Sequence, residues 1–508
     1  MLAVRRLYFY LVSFISLEVV IWGVISLART AFEVIPGESA INVLASGLSL
    51  VLVGLPIFLL HWVMIQREVY RDEAEQDTRL RAVFEYAVRF ATLIPVAHNI
   101  IALINRLALT LLGEEPSLAF IGAGQNLPDN LTAIAVNIII WNYFDRVLKR
   151  DWQMMQPGNK LTELRRLYRY VWVLYSLVLT IAGVQKLLHF VLNMPVGLAG
   201  ISAAMLANGL ALILVAAPIW VLSWQIVQSS LDQSGESDSL LRLIVLYLVT
   251  FVGAALVVVT SISVLGAALR WVLGETQTLT RFLIRNSDVL ALAIPLGVVW
   301  AYFSGQLHRQ INTETEPQRK AGLKRLHDYY LVLLGNSVVF FGLWHLAAAF
   351  VQLLWNDPLG VDILWIPIGT ALSALLVGLP LWVKTWPVVQ RNAGQKDTSG
   401  DHARRSVIRK GYLYLVLFLT VAGAMASAGQ LLFMTFMKLL EASDGEFWLE
   451  FSQRMVSLLL LLLWMGYHLR VLRRDSKLAH QTLGRLHARF PVLVFEMNGF
   501  SDILVPLL

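Results

Sequence analysis

Four ionisable residues lie inside long apolar segments of this 508-residue sequence: Glu18, His98, Lys186 and His345. A carboxyl, ammonium or imidazole group in an apolar environment can carry a proton or bind an ion, and an imidazole can also ligate haem iron. Because burying such groups is costly, they are candidates for function. Glu18 is the strongest candidate, since it lies in the middle of its segment with no basic residue one helical turn away.

Each of these residues also has a structural interpretation. Lys186 and His189 lie toward the end of their segment, where long polar side chains reach the aqueous boundary. His345 suits a hydrogen-bonded contact between helices better than a metal or haem ligand. His98 and His345 would form an axial haem pair only if both rings faced one cavity. Glu18 is consistent with a neutral, protonated carboxyl or with a partner cation elsewhere in the chain.

Motifs for catalysis are missing from the sequence. It contains no phosphate-binding loop, zinc motif or nucleophile elbow in the right context. The chain has no cysteine, which excludes disulfides, thiolate metal sites and cysteine nucleophiles. We therefore predict no catalytic residue, no metal site, no cofactor and no enzymatic activity.

The composition is that of a membrane protein. Hydrophobic residues make up 57% of the chain, charged residues 15%, and the mean hydropathy is +0.64. Soluble domains carry about 25% charged residues. Apolar stretches of about 20 residues, long enough to cross a bilayer as helices, recur throughout, whereas a β-barrel would alternate over segments of about ten. We predict an all-α integral membrane protein with about twelve transmembrane helices. The predicted spans are residues 7–28, 45–66, 86–110, 130–150, 169–192, 205–229, 241–269, 287–306, 328–354, 364–389, 411–437 and 454–473.

Arginine and lysine concentrate in alternate loops and at both ends of the sequence, whereas the intervening loops are rather acidic. By the positive-inside rule the basic loops and both termini are predicted to be cytoplasmic. Members of the basic set include Arg81, Arg404, Arg405, Arg409 and Lys410. This distribution accounts for the net charge of +7 without a nucleic-acid partner. It leaves contact with anionic lipid headgroups as a secondary expectation, and it identifies no protein partner.

One pattern of about 160 residues repeats three times. A tyrosine recurs at intervals of 160 and 159 residues (Tyr10, Tyr170, Tyr329), and a proline recurs every 162 residues with a tryptophan six residues later. Those pairs are Pro56 with Trp62, Pro218 with Trp224, and Pro380 with Trp386. A further tyrosine closes each copy, at Tyr143, Tyr302 and Tyr467. Each copy holds an even number of spans, so the copies are predicted to be parallel.

The copies divide into related hairpins, six in all. Tyrosines occupy one equivalent position near the start of spans 1, 3, 5, 7, 9 and 11: Tyr10, Tyr86, Tyr170, Tyr247, Tyr329 and Tyr414. We expect their rings at the acyl boundary and their hydroxyls among headgroups. The prolines are expected to kink their helices. The predicted domains are residues 1–156, 157–316 and 317–478, four helices each, followed by an interfacial tail or partial repeat at 479–508.

The Arg-Leu-Tyr-x-Tyr-Leu start at residues 6–11, the Pro-x(5)-Trp second helix and the four-span unit resemble a bacterial membrane family known as domain of unknown function 5671. The resemblance covers nearly the whole chain as three tandem copies. It implies a repeated membrane architecture in the cytoplasmic (inner) membrane of a bacterium. The family has no assigned reaction, so the resemblance implies no catalytic residues.

Three functions fit these observations. The first is a non-enzymatic scaffold for assembly, or a membrane-sensing protein. The second is a transporter or channel with a polar path lined by Glu18, Lys186 and His345. It is motivated by polar residues sixteen positions after the landmark tyrosines, where only Ala102 breaks the pattern: Ser26, Lys186, Ser263, His345 and Gln430. The third is a redox subunit binding haem or quinone through His98 and His345.

Overall fold

The structure, a computed structural model, describes residues 2–32, 38–71, 78–154, 162–196, 201–232, 236, 239–273, 277–355, 361–395, 397–440 and 447–487. Within these ranges the chain is almost entirely helical and has no strand. Twelve long helices follow one another. They are α1 (Leu2–Phe32), α2 (Glu38–Arg71), α3 (Arg79–Leu111), α4 (Leu127–Met154), α5 (Thr162–Asn193), α6 (Ile201–Ser229), α7 (Leu240–Leu273), α8 (Ser287–Thr313), α9 (Pro317–Leu354), α10 (Val361–Gly394), α11 (Val407–Leu439) and α12 (Phe447–His487). Two short helices, Leu279–Arg285 and Thr398–Arg405, precede α8 and α11.

All twelve long helices in the described ranges are long and apolar enough to cross a membrane. Each of the twelve predicted spans lies within one of them, so the prediction of a multi-pass all-α protein is confirmed. A helix suits this environment because it bonds its own backbone N–H and C=O groups where no water can. The landmark prolines Pro56, Pro218 and Pro380 lie inside α2, α6 and α10, which continue through them.

Large apolar side chains cover the outside of these helices. Leu52 is 70% exposed, Phe418 is 68% exposed and Val298 is 65% exposed. So much exposed apolar surface would be unfavourable in water, whereas hydrocarbon chains accept it. The protein is therefore embedded in lipid.

The chain forms two compact units. The first comprises residues 1–260 and 277–307, and the second comprises residues 261–276 and 308–508. In the first unit α1 packs on α2, α3 and α4, and in the second α9 packs on α10, α11 and α12. Each set is a four-helix group whose first helix touches the other three.

The predicted domain boundaries meet the helices in three different ways. The boundary after residue 156 lies outside the described residues, and the boundary before residue 317 coincides with the start of α9. The boundary after residue 478 falls within α12, which continues to His487. The remaining tail, residues 488–508, lies outside the described residues. The division into three domains stays a prediction.

A glycine thirteen residues after the landmark tyrosine sets the close approach of the first hairpin in every copy. A Cβ atom added there would lie 2.8 or 2.9 Å from a side-chain carbon of the facing helix, closer than van der Waals contact allows. The three contacts are Gly23 with Val51, Gly183 with Ile213, and Gly342 with Leu375. Since each facing residue lies five positions before the landmark proline, the same crossing recurs in all three copies.

Candidate functional site

An indole–phenol hydrogen bond joins the second and fourth helices of each copy. The landmark tryptophan donates its Nε1–H to the hydroxyl of the closing tyrosine. The pairs are Trp62 with Tyr143 (2.7 Å), Trp224 with Tyr302 (2.6 Å), and Trp386 with Tyr467 (2.6 Å). All three tryptophans are buried. The strongest sequence landmarks of the repeat are therefore partners of one another.

A buried ion pair lies beside this bond in the third copy. The Arg409 guanidinium donates from Nε to Asp475 Oδ2 (2.6 Å) and from Nη2 to Asp475 Oδ1 (3.0 Å). It also donates to the Tyr329 hydroxyl (2.8 Å) and to Gln390 Oε1 (2.8 Å). Four helices, α9 to α12, thus meet at one arginine. Such a bidentate, fully bonded arrangement is the favourable way to bury an arginine.

The first copy has the corresponding pair. Arg81 and Asp151 are each 1% exposed, and Arg81 Nε lies 2.6 Å from Asp151 Oδ2 and 3.1 Å from Glu85 Oε1. The Tyr10 hydroxyl is an electrostatic neighbour of Arg81, as Tyr329 is of Arg409. Arg81 and Arg409 were predicted to lie in cytoplasmic basic loops. The placement in loops is wrong for both, because Arg81 lies within α3 and Arg409 within α11, each buried against a carboxylate; the cytoplasmic side stays a prediction.

The middle copy departs from this arrangement. Arg242 is the equivalent arginine, five residues before Tyr247, and it is buried with the Tyr170 hydroxyl as a neighbour. The position of Asp151 and Asp475, eight residues after the closing tyrosine, is occupied by Gln310. The carboxylate of the first and third copies is therefore replaced by an amide in the second.

The landmark tyrosines near the starts of the odd helices were expected to form an interfacial belt. Five of them are at most 8% exposed, so their rings pack inside the protein and not against lipid: Tyr10, Tyr86, Tyr170, Tyr247 and Tyr329. Tyr414 differs, with 59% of its surface exposed. The belt prediction is wrong for the five buried tyrosines, because hydrogen bonds and ring contacts within the protein replace the headgroups.

A buried polar pair distinguishes the third copy. Phe84 and Phe144 pack against Trp62 and against each other in the first copy. The equivalent residues of the third copy are Tyr412 and His468, and the Tyr412 hydroxyl lies 3.2 Å from His468 Nε2. His468 is 1% exposed, and its Nδ1 lies 2.9 Å from the Trp464 carbonyl oxygen. The two substitutions satisfy each other's hydrogen-bonding groups. Sequence reasoning passed over His468, which stands next to a landmark tyrosine.

Glu18 lies in the middle of α1, as predicted. It is partly buried, and among the described residues its Oε1 atom has no hydrogen-bond partner. No ion pair joins it to Lys186 in the described part of the chain. A carboxyl oxygen without a partner inside an apolar helix is the state expected of a neutral acid or of a cation-binding group.

Lys186 and His189 lie near the end of α5, and each has a local partner. The Lys186 ammonium is 4.3 Å from the centre of the Phe120 ring, a cation–π contact. His189 Nε2 is 3.1 Å from Asp288 Oδ1, whose carboxylate is 80% exposed in the first turn of α8. These contacts support the interpretation that both side chains reach the aqueous boundary.

The two other histidine candidates have aromatic neighbours. The His98 ring centre lies 5.9 Å from that of Tyr175. The His345 ring packs on Phe341 and Trp344 of its own helix, at 4.3 and 5.0 Å. Within the described ranges no group of three or more His, Asp or Glu residues could hold a metal ion. The haem and quinone hypothesis gains no support from these contacts.

The polar residues sixteen positions after the landmark tyrosines do not share one environment. Ser26, Lys186 and His345 are half-buried, whereas Ser263 and Gln430 are exposed. Ala102, which breaks the pattern, has a steric reason to be small. A Cβ atom on Gly122, whose φ is +77°, would lie 2.5 Å from the Ala102 Cβ atom. The loop after α3 therefore packs directly on this position.

Buried asparagines form two further hydrogen-bonded clusters that sequence reasoning missed. Asn105 of α3 donates to the Asn208 side-chain oxygen of α6 (2.6 Å), which also accepts from the Phe120 backbone (2.5 Å). Asn130 of α4 donates to Asn99 Oδ1 (2.9 Å) and to Gln125 Oε1 (2.7 Å). The Asn105–Asn208 bond ties the first copy to α6 of the second. Neutral amides carry no charge to mark them in a sequence, although their position inside apolar spans was a usable signal.

Successive copies meet through the third helix of one copy and the second helix of the next. In the first unit this is the contact of α3 with α6, through Asn105 and Asn208. In the second unit Gly266 of α7, which corresponds in position to Asn105, faces Ser373 and Gly369 of α10. A hydrogen bond at one junction is thus replaced by close glycine packing at the other.

These features define a class: a multi-pass α-helical membrane protein made of three tandem four-helix repeats whose landmark residues bond to one another. The family described as Domain of unknown function (DUF5671) matches the chain three times, over residues 6–139, 166–300 and 325–467. The protein belongs to this family, with one match in each repeat. Comparison with curated proteins and with solved structures gave no match.

Proposed function

We propose that the protein is a non-enzymatic component of the bacterial cytoplasmic membrane that acts as a scaffold for assembly or as a membrane sensor. The observation that carries the proposal is the internal pairing of the repeated polar residues. The indole–phenol bonds use the polar atoms of the landmarks within each repeat, and Arg409 and Asp475 bond to each other in the third. Groups bonded in this way stabilise a bundle and are not presented to a substrate.

The proposed orientation has the basic loops and both termini in the cytoplasm, with anionic headgroups as neighbours of those loops. The absence of cysteine makes this testable by single-cysteine labelling. Ser117→Cys, in the loop after α3, is expected to react with a membrane-impermeant maleimide in intact cells. Thr315→Cys, between α8 and α9, is expected to react only after permeabilisation. The reverse labelling pattern would contradict the orientation.

A scaffold is expected to be found in an assembly. On native gels of mildly solubilised membranes, the protein should migrate in a complex larger than its own 57.0 kDa chain. In liposomes the purified protein should pass no ion or solute faster than protein-free vesicles do. Migration as a single chain in every mild detergent would count against the scaffold.

A second candidate function rests on Glu18 alone. Its oxygen without a hydrogen-bond partner inside α1 favours a proton- or cation-handling group. The same liposome experiment separates the two functions. Flux of protons or cations that Glu18→Gln abolishes would establish transport and refute a purely structural role. Glu450→Gln, at an exposed carboxylate at the start of α12, is the matched control and should leave any flux unchanged.

A further inference from the structure

A basic cleft lies in the second unit, where the short helix Thr398–Arg405, the start of α11 and the end of α12 meet. Its volume is about 290 Å³, close to the lower end of the range for small-molecule sites. Arg404, Arg405, Lys410 and His480 are among the residues that line it. We propose that this cleft binds a phosphate group, carried by an anionic lipid headgroup or by a soluble phosphate. The proposal is independent of the scaffold function.

Arg404 is a fixed cation in the cleft wall. It is 3% exposed and donates from Nη1 to the carbonyl oxygens of Ala393 (2.9 Å) and Gln395 (2.5 Å). Its Nε atom is buried without a hydrogen-bond partner among the described residues. The guanidinium is therefore held in place by the backbone and retains a donor that a phosphate oxygen can satisfy.

The charge of the other two cations is only partly compensated. Arg405 pairs with Asp401, at 2.9 Å, and remains 39% exposed; the same carboxylate lies 3.6 Å from Arg404. Lys410 is exposed, and its ammonium has no ion-pair partner in the described part of the chain. The one carboxylate of the lining, Asp475, already binds Arg409 through both oxygens. The cleft therefore keeps a net positive charge.

The cleft lies near the start of a long helix. The 33-residue helix α11 begins at Val407, directly after Arg404 and Arg405, and Lys410 lies in its first turn. The first backbone N–H groups of a helix have no partner within it and carry partial positive charge, which favours a phosphate. Two guanidinium groups and an ammonium thus line one small volume close to the start of α11.

The lysine of the cleft is particular to the third repeat. At the position of Lys410 the other repeats have Ala82 and Leu243, counted from the equivalent arginines. The apolar run of α12 ends at Arg473 and Arg474, just before the cleft residues Asp475 and Ser476. The cleft therefore lies at the depth where headgroup phosphates are found.

The test uses full-length protein in nanodiscs of phosphatidylcholine and two probes. Isothermal titration with inorganic phosphate measures soluble-anion binding. Native mass spectrometry after exchange into phosphatidylcholine with phosphatidylglycerol counts retained anionic lipid. We expect Arg405→Gln/Lys410→Gln to weaken binding by about tenfold or more, because two charge-assisted contacts are lost. Arg473→Gln/Arg474→Gln, an equal charge loss outside the lining, should change binding less than about twofold.

Binding of either probe, lost only in the cleft variant, supports the proposal, and the probe that binds identifies the source of the phosphate. The proposal is overturned if neither probe binds to the wild type. It is also overturned if both double variants weaken binding equally, since diffuse surface attraction would then suffice. A melting curve on each variant confirms folding, and since Arg405 and Lys410 are both exposed, their substitution should leave the fold intact.

Discussion

The indole nitrogen of Trp62 donates a hydrogen bond to the hydroxyl of Tyr143, although 81 positions separate the two residues. In the middle repeat the same bond spans 78 positions, and in the third repeat it again spans 81. The loops thus differ in length while the contact between the second and fourth helices is kept. Because the bond is kept although the number of intervening residues changes, it is a feature of how the helices of each repeat pack.

Removing the hydroxyl of the closing tyrosine should destabilise any repeat. Tyr143→Phe, Tyr302→Phe and Tyr467→Phe each leave a buried indole N–H without its acceptor while keeping the ring. We expect each to lower the free energy of unfolding by about 0.5–1.5 kcal/mol. Titration of the purified protein with SDS measures the change. Tyr414→Phe, at an exposed ring, is the control and should leave the stability unchanged. An equally large loss of stability in this control would mean that the indole–phenol hydrogen bonds make no specific contribution.

Breaking the buried ion pair of the third repeat should cost more. Arg409→Met leaves the Asp475 carboxylate buried without its cation, and we expect a loss of about 3–5 kcal/mol in unfolding free energy. Arg409→Met/Asp475→Leu, which removes both charges, should recover most of that loss. Arg5→Met breaks the exposed pair with Glu68 and should cost about 1 kcal/mol or less. Equal losses of unfolding free energy in the buried and exposed variants would show that burial does not determine how much an ion pair contributes to stability.

Sequence reasoning reached the repeat, the twelve helices and their approximate ends, because apolar runs and landmark spacings are local signals. It did not identify which polar residues bond to one another. In the sequence Arg81 resembles the other arginines of the basic loops. Its ion-pair partner Asp151 is 70 positions away, and only the folded structure places the two side chains in contact. Asn105 and Asn208 carry no charge, and the facing direction of a helix surrounded by lipid and protein cannot be read from hydropathy. The regular spacing of Gly183 and its counterparts can be seen in the sequence. Their role at a helix crossing follows only from the contact with a facing residue, which for Gly183 is Ile213.

Filling the glycine at the hairpin crossing should push two helices apart. In Gly183→Ala the new methyl group would lie 2.8 Å from Ile213 Cγ1 and 3.0 Å from Leu212 Cβ. We expect destabilisation of about 1–3 kcal/mol, the usual cost of overpacking. Gly297→Ala, in α8 of the same unit, meets no atom within 4 Å and should instead be neutral or stabilise by up to about 1 kcal/mol. SDS titration measures the unfolding free energy of both variants. If both variants lost similar stability, the close helix contact at Gly183 would be contradicted.

The polar pair of the third repeat offers a test of whether two substitutions compensate each other. Tyr412→Phe leaves His468 Nε2 without its partner, and His468→Phe leaves the Tyr412 hydroxyl buried and unbonded. Each single change should cost about 1–3 kcal/mol, the penalty for an unsatisfied buried group. Tyr412→Phe/His468→Phe restores the phenylalanine pair that the first repeat uses at Phe84 and Phe144.

The double variant should therefore lose less stability than the sum of the two single variants, with a coupling energy of about 1 kcal/mol or more. Unfolding measurements on all four proteins complete the cycle. The matched control pairs His468→Phe with Tyr414→Phe, because Tyr414 is exposed and lies on the same helix as Tyr412. Additive losses in the first cycle would mean that the hydroxyl and imidazole do not satisfy each other, and that His468 is held by the Trp464 carbonyl alone.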